Sequence, residues 1–345
     1  MLIDLYSDTA TKPTAAMRRA IAEAEVGDEQ KGEDPTVNRL QAMTAELLGK
    51  EAALFLPSGT MCNEIAIKVH TKPGEAIIAD RLAHLFGSEQ GGPAFHSGVL
   101  VKPLDGDHGI FTPEQVAAAI APGNYYVPRT TLLCAEQTHN FGGGAVWPLD
   151  RLQTVCDVAH ANGLATHLDG ARLLNAVVAS GIAARDYAAP FDSVWLDLSK
   201  GLGAPVGGVL AGSATFIAEA RRYKHLFGGA MRQAGIIAAA GVYALEHNID
   251  RLADDHNNAR RLAAGLGDIP GVIVENPEPA TNIVFFDISG TGVPVQTYLE
   301  RIRARDVRMG APGSGRLRAV THLDISEADI DTALTVAREA LMRGA

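Results

Sequence analysis

The sequence predicts an α/β fold: a mainly parallel sheet flanked by helices, followed by a smaller C-terminal α+β domain. Two patterns predict it. From residue 52 to residue 200, short apolar runs alternate with segments of helical period. Parallel strands need long crossover connections, and the helical segments between the runs supply them. Beyond an apolar stretch at 234–245 the character changes to a charged amphipathic segment and then to isolated short apolar runs.

Taken in order, Ala52–Leu56 reads as a strand, Asn63–His70 as a helix and Ala76–Ala79 as a strand. Thr130–Ala135 is the next strand. Leu149, Leu152, Val155 and Ala159 recur at helical spacing, and Asn162-Gly163 ends that helix. Leu164–Leu168 and Ser193–Leu198 are strands, followed by Asp169-Gly170-Ala171-Arg172 and Ser199-Lys200-Gly201. Ala234–Leu245 is a buried helix and Ile249–Leu266 an amphipathic one. Val272–Val274 and Asn282–Phe286 are strands, and 328–342 is a final helix. The chain divides into an N-terminal arm (1–30), a large domain (31–248) and a small domain (249–345).

The 345 residues are 47% hydrophobic and 20% charged, enough apolar content for a sizeable core without disulfides or structural metal. A net charge of -10 disfavours nucleic acid and anionic membranes as partners. The longest apolar stretch is too short to span a bilayer. Cys62, Cys134 and Cys156 are isolated, show no metal-ligand spacing and suit a reducing compartment. No signal-peptide pattern opens the chain. A cytoplasmic protein without a metal site is expected.

In open α/β sheets, ligands bind beyond the carboxyl ends of the strands. Four polar strand exits fall there: Ser58-Gly59-Thr60, Glu136-Gln137-Thr138-His139, Asp169 and Lys200. Lys200 sits among small residues in Ser199-Lys200-Gly201-Leu202-Gly203, where glycines would let a ligand approach the backbone. A lysine amine forms a Schiff base with a carbonyl cofactor. Asp169 ends a strand one crossover earlier. An aspartate there can keep a pyridine nitrogen protonated, the requirement of pyridoxal 5′-phosphate (PLP) as an electron sink, or it can cap the following helix. Ser58, Gly59 and Thr60 lie between a strand and a helix, a place for a phosphate or for a simple cap. They form neither a Walker loop nor a G-x-G-x-x-G fingerprint. His84 and His139 follow two further strands, where an imidazole could stack on a ring or take a proton. Arg172, Arg316 and Arg318 are candidates for a substrate carboxylate, which arginine grips bidentately.

The chain resembles the low-specificity L-threonine aldolases, fold-type-I PLP enzymes of the aspartate-aminotransferase class. The likeness runs from end to end. It rests on Asp4–Thr11, Gly32–Val37, Pro57–Met61, Glu89-Gln90-Gly91-Gly92, Thr138-His139-Asn140, His167–Arg172, Ser199–Pro205, Met231–Gly235 and Val320-Thr321-His322. The resemblance implies that Lys200 carries PLP, Asp169 meets the pyridine nitrogen, and Gly59 and Thr60 hold the phosphate. It also implies that Arg232 reaches the phosphate of a neighbouring subunit. Ser7, Arg172 and Arg318 would hold the substrate carboxylate. His84 would stack on the ring, and His84 with His139 would lie near the substrate hydroxyl. A homotetramer built from dimers is implied.

Three departures bear on the substrate. Lys31 stands where the family usually has a tyrosine, Ser88 marks a stretch that often holds an aromatic residue, and His225 stands where a lysine is common. The expected reaction is cleavage of a β-hydroxy-α-amino acid to glycine and an aldehyde. A PLP-dependent β-elimination or transamination on the same fold and a PLP-free site for a phosphorylated ligand are the other readings.

Overall fold

The computed structural model describes residues 2–313 and 315–342. Its centre is a seven-stranded sheet in the order Ala52–Leu56, Gly208–Gly212, Ser193–Asp197, Ala165–Gly170, Thr130–Glu136, Ala76–Asp80, Leu100–Leu104. Four of its six neighbouring pairs are parallel, and only Gly208–Gly212 runs against its two neighbours. The inner strands are buried on both faces, as helix-covered parallel strands must be. The largest core cluster joins this sheet to helices Pro35–Leu48, Leu149–Ala161 and Gly235–His247.

A second core lies over a three-stranded antiparallel sheet of Leu317–Val320, Ile283–Asp287 and Ile273–Val274. Helices Leu252–Gly267 and Glu327–Leu341 pack on it. The chain start joins this layer: Ile3–Asp4 pairs in parallel with Val307–Arg308, and Ile3 and Leu5 enter its core. That pairing brings Ser7 and Asp8 to the large sheet's edge.

The structure adds elements that the sequence patterns did not single out. Gly208–Gly212 carries too few β-branched residues to read as a strand, yet Gly208 and Gly212 are needed for packing. An added Cβ at Gly212 would meet Phe216 at 2.7 Å, and one at Gly208 would meet Cys62 Sγ at 3.0 Å. Leu100–Leu104 contains Lys102 and Pro103, tolerable because it is an edge strand. The helix expected from residue 63 begins at Gly59, because the Ser58 hydroxyl accepts from Met61 N–H and caps it.

Candidate active site

Strand register aligns the site. Glu136 pairs with Asp169, and Asp169 with Trp195, so three neighbouring strands present these side chains at one edge. A cavity there is lined by Ser58, Gly59, Thr60, His84, Asp169 and Lys200. Glu136, Asn140, Arg172, Trp195 and Asp197 complete its wall.

Asp169 is buried. Its Oδ2 accepts from Asn63 Nδ2 at 2.8 Å and its Oδ1 from Ala171 N–H at 3.0 Å. Both donors are neutral. Burial and the nearby Glu136 raise the Asp169 carboxyl, against the pull of His84 and Lys200. A carboxyl so placed favours a cation at its face, as a protonated pyridine nitrogen would be. Asp169 does not cap a helix; its side chain closes a turn onto Ala171.

Lys200 Nζ lies 3.3 Å from Asp197 Oδ2 and 5.9 Å from the Trp195 ring centre. The glycines beside Lys200 serve packing. A Cβ on Gly201 or Gly203 would meet Leu252 or Leu323 at 2.8 Å. At Gly59 the constraint is Trp195, which an added Cβ would strike at 2.3 Å. Gly59 therefore seats the helix start on the indole, and Ser58, Gly59 and Thr60 line the cavity there, a place suited to a phosphate.

The Arg172 guanidinium donates to both oxygens of the buried Asp8, through Nε at 2.6 Å and Nη2 at 2.7 Å. Against the cost of burial, Arg172 holds the Asp8 carboxyl below its ordinary range. Arg318 stands beside it. Asn140 Oδ1 accepts from Arg318 Nη1 at 3.1 Å and from Arg172 Nη1 at 3.4 Å. Burial and the neighbouring Arg172 lower Arg318, and its buried Nε has no partner among the described residues. Two adjacent guanidiniums, one with a donor to spare, are fit for a substrate carboxylate. Ser7 flanks it, with Oγ 3.5 Å from Asp8 Oδ1. Arg316 is elsewhere: it forms a bidentate pair with Glu275 and stacks on Phe285.

His84 is on the cavity wall. Its Nδ1 lies 2.8 Å from Glu89 Oε1, which leaves Nε2 for the cavity. Burial lowers His84, but the Glu89 hydrogen bond and the Asp169 charge outweigh it and raise the imidazole. Glu136 braces the wall, accepting from the backbone N–H of His84 at 2.7 Å and of Asn140 at 2.8 Å.

His139 is not on this wall. It is fully buried, its Nδ1 accepts from Gly142 N–H at 3.1 Å, and its Nε2 lies 3.4 Å from Asp80 Oδ1. The ring fills the space where a Gly109 side chain would stand. It fixes a turn instead of facing the reacting bond. Arg232 and Lys31 are also outside the cavity of their own chain. Arg232 is exposed and paired with Asp28 at 3.1 Å, and Lys31 ends the exposed turn Glu29–Lys31. These two segments are joined, since Glu29 N–H donates to Arg232 O at 3.0 Å. Two departures from the family pattern soften. Phe86, exposed two residues before Ser88, supplies an aromatic group, and Lys224, beside His225, is buried and paired with Glu29.

Sequence patterns missed Asn63, Asp8, Asn140 and the brace role of Glu136. Asn63 reads as one polar residue in an apolar helix. Asp8, within Ser7-Asp8-Thr9, reads as a cap. Their roles depend on contacts more than one hundred residues apart, to Asp169 and Arg172 respectively.

This sheet, with a lysine and an aspartate at adjacent strand ends beside a helix N-terminus, defines a fold-type-I enzyme, the class that works with PLP. The sequence model described as "Beta-eliminating lyase" matches residues 4–289. The "Low specificity L-threonine aldolase" of Escherichia coli (strain K12) is 41% identical over 326 residues, covering 94% of this chain and 95% of that one. The solved threonine aldolase of Leishmania major shares the fold, with a TM-score of 0.82 at 20% identity over 98% of this chain and 99% of that one. A serine palmitoyltransferase from S. paucimobilis, solved with a bound PLP–myriocin aldimine, has a TM-score of 0.77 at 16% identity over 98% and 87%. The chain belongs to the low-specificity L-threonine aldolase family. Among the described residues no helix is long and apolar enough to cross a membrane, and no cluster of metal-ligating side chains occurs.

Proposed function

We propose that this enzyme cleaves L-β-hydroxy-α-amino acids to glycine and an aldehyde, using PLP at Lys200. One observation carries the reading. A single cavity holds Lys200, a buried carboxyl without a cationic hydrogen-bond partner (Asp169) and a helix start, and two guanidiniums stand beside it. When bound, the cofactor supplies an electron sink for the pair released as the Cα–Cβ bond breaks. Lys200 Nζ would supply the amine that fixes the cofactor, and Asp169 would meet its ring nitrogen. Ser58, Gly59 and Thr60 offer N–H and hydroxyl donors to its phosphate. Arg172 and Arg318, with Ser7 alongside, grip the substrate carboxylate and so set the orientation of the bond to be broken. His84 Nε2 accepts the β-hydroxyl proton, while Nδ1–H stays on Glu89. That proton transfer turns the hydroxyl into the aldehyde carbonyl as the carbon–carbon electron pair departs.

Arg232 is exposed on a glycine-containing segment and suits the phosphate of a neighbouring subunit in a cytoplasmic homotetramer. Lys31 is tied to the same segment and would travel with it to that neighbour's substrate side. One charged contact there is worth about 1–3 kcal/mol, roughly ten- to a hundredfold in preference for a polar side chain.

Two measurements test the reading. Borohydride reduction should trap PLP on the peptide containing Lys200, and label on another lysine would refute that role. A panel of threonine, phenylserine and β-hydroxyaspartate should release glycine and aldehyde, with the ranking altered in Lys31→Tyr. The matched family's name favours β-elimination as a second reading, which would yield ammonia and a 2-oxo acid instead.

A further inference from the structure

Of the segment Glu89-Gln90-Gly91-Gly92, only the Glu89 contact to His84 has entered the site described so far, yet the geometry of the whole turn is specific. The chain turns through two left-handed residues, Gln90 (φ 55°) and Gly91 (φ 75°). Gly92 N–H donates to Glu89 O at 2.8 Å and closes the turn. The turn presses both ends onto helix Gly59–His70. Glu89 meets Asn63, whose Nδ2 donates to Oε1 at 2.8 Å, and Gly92 meets Glu64. A Cβ at Gly92 would stand 2.0 Å from Glu64 Oε1, so with glycine here the turn closes over this carboxyl without displacing it.

Glu64 and Glu89 are both buried and flank the same turn: Gly92, whose N–H closes the turn onto Glu89 O, lies directly over the Glu64 carboxyl. Both Glu64 oxygens and Glu89 Oε2 lack a partner among the described residues when the two groups are taken as acceptors. Two carboxylates cannot hydrogen-bond each other, because neither donates. A carboxylic acid and a carboxylate can, and one shared proton gives Glu89 Oε2 and one of the Glu64 oxygens a partner. The other charged and titratable groups around the pair are His84 on the Glu89 side, Asp169 reached through Asn63, Glu136 and Cys134 on the strand Thr130–Glu136, and Cys62 on the helix. Among the described residues, only His84 is a cation in waiting at hydrogen-bond distance from either carboxyl.

We propose that Glu64 and Glu89 share one proton, and that the single remaining charge orients His84 and sets its proton affinity. Glu64 and Glu89 are then positioning residues that act through His84. The idea rests on His84 facing the substrate hydroxyl, as argued above. With the charge on the Glu89 side, Nδ1–H of His84 is held and Nε2 stays the proton acceptor toward the cavity. The proton arriving at Nε2 makes an imidazolium paired with one carboxylate. Burial and the adjacent Glu89 raise the Glu64 acid, in keeping with a proton held at neutral pH.

The test compares holoenzyme variants Glu64→Gln and Glu89→Gln by three readouts. These are the infrared band of a protonated carboxyl, the titration midpoint of the His84 imidazole by NMR, and the pH profile of kcat/KM. Glutamine at position 64 imitates the protonated acid. The wild type should show the carboxylic-acid band at neutral pH, and Glu64→Gln should lose it. The His84 midpoint in Glu64→Gln should stay near the wild-type value. In Glu89→Gln it should fall by about one pH unit or more, a tenfold change in proton affinity. The pH profile should follow the midpoint. A fall in Glu64→Gln as large as in Glu89→Gln would show that Glu64 carries its own charge and would overturn the proposal. Loss of no infrared band in Glu64→Gln would do the same. Full activity in His84→Asn would instead refute His84 as the acceptor, and the band and the midpoint would still report on the pair.

Discussion

His167 makes the enzyme acid-sensitive through the support behind Asp169. It is fully buried one strand position before Leu168-Asp169, and burial, with His70 nearby, pushes its imidazole down to about 3. Its Nδ1 lies 2.8 Å from Ser193 Oγ and its Nε2 3.2 Å from Asn63 Oδ1. The tautomer follows from Asn63. That amide spends its Nδ2 hydrogens on Asp169 and Glu89, so its oxygen accepts, and His167 donates from Nε2. Trp195 Nε1–H donates to the same oxygen at 2.8 Å. A second proton on His167 would take the place of the Ser193 hydroxyl at Nδ1. The sign is that of a lowered folded-state value. His167 is neutral in both states above about pH 6.5. Below that, the unfolded chain takes a proton that the folded chain refuses, so stability falls with pH down to about 3. Each pH unit costs about 1.4 kcal/mol, and from pH 6.5 to pH 5 the loss from this residue is about 2 kcal/mol, a large part of an ordinary stability. His70 and His256, pushed down by burial to about 4, act in the same window. The assay is urea unfolding of holoenzyme at fixed protein concentration between pH 8 and pH 5. Below pH 6, the slope of unfolding free energy against pH should be shallower in His167→Gln by about 1.4 kcal/mol per unit. Parallel wild-type and variant curves would refute a neutral, buried His167.

Three further outcomes follow from the site. Asp169→Asn should keep the fold, being nearly isosteric, and lower kcat sharply; near-wild-type turnover would rule out its role at the ring nitrogen. Arg318→Ala should cost about 1.5–3 kcal/mol, seen as a roughly ten- to hundredfold loss in kcat/KM carried by KM, and an unchanged KM would exclude it from carboxylate binding. Subunits of Lys200→Ala mixed with subunits of Arg232→Ala should recover activity if the phosphate is gripped across subunits, and no recovery in proven hybrids would count against a shared site.

The sheet was legible because buried parallel strands leave a local mark. Ala52–Leu56, Ala76–Ala79 and Thr130–Ala135 stand out as short apolar runs and agree with the structure to within a residue or so. Gly208–Gly212 left no such mark, since two of its five positions are glycines required by Cys62 and Phe216 from other elements. The same limit applies to the site. Lys200 and Asp169 sit where a strand ends, and strand ends can be read locally. Position after a strand also pointed to His139, but whether a side chain faces the cavity is decided by its neighbours. The turn through Gly142 and the Asp80 carboxyl hold the His139 ring inward. Glu136, three residues earlier at the strand end, faces the cavity instead.

Charge balance explains why these residues occur as a set. Asp169 is a buried carboxyl whose hydrogen-bond donors are neutral, and burial raises it. Beside the same cavity the buried Arg172 pairs with Asp8, and the half-buried Arg318 stands next to it, lowered by burial and by the Arg172 charge. One end of the site therefore has a carboxyl without a hydrogen-bonded cation, and the other a guanidinium donor without a hydrogen-bonded anion. A ligand with a protonated ring at one end and a carboxylate at the other would correct both, and would be held in one orientation by doing so. His84 stands on the wall of that cavity with a single carboxylate charge behind it in the proposed Glu64–Glu89 pair. A second charge there would bind the proton at His84 too firmly for it to move on, and no charge would leave the imidazole a weak acceptor. The glycine at position 92, which admits the Glu64 carboxyl, thus bears on the proton affinity at the reacting end. Gly92→Ala should disturb the His84 titration with both carboxyls still present, and an unchanged midpoint in a folded Gly92→Ala enzyme would break this link.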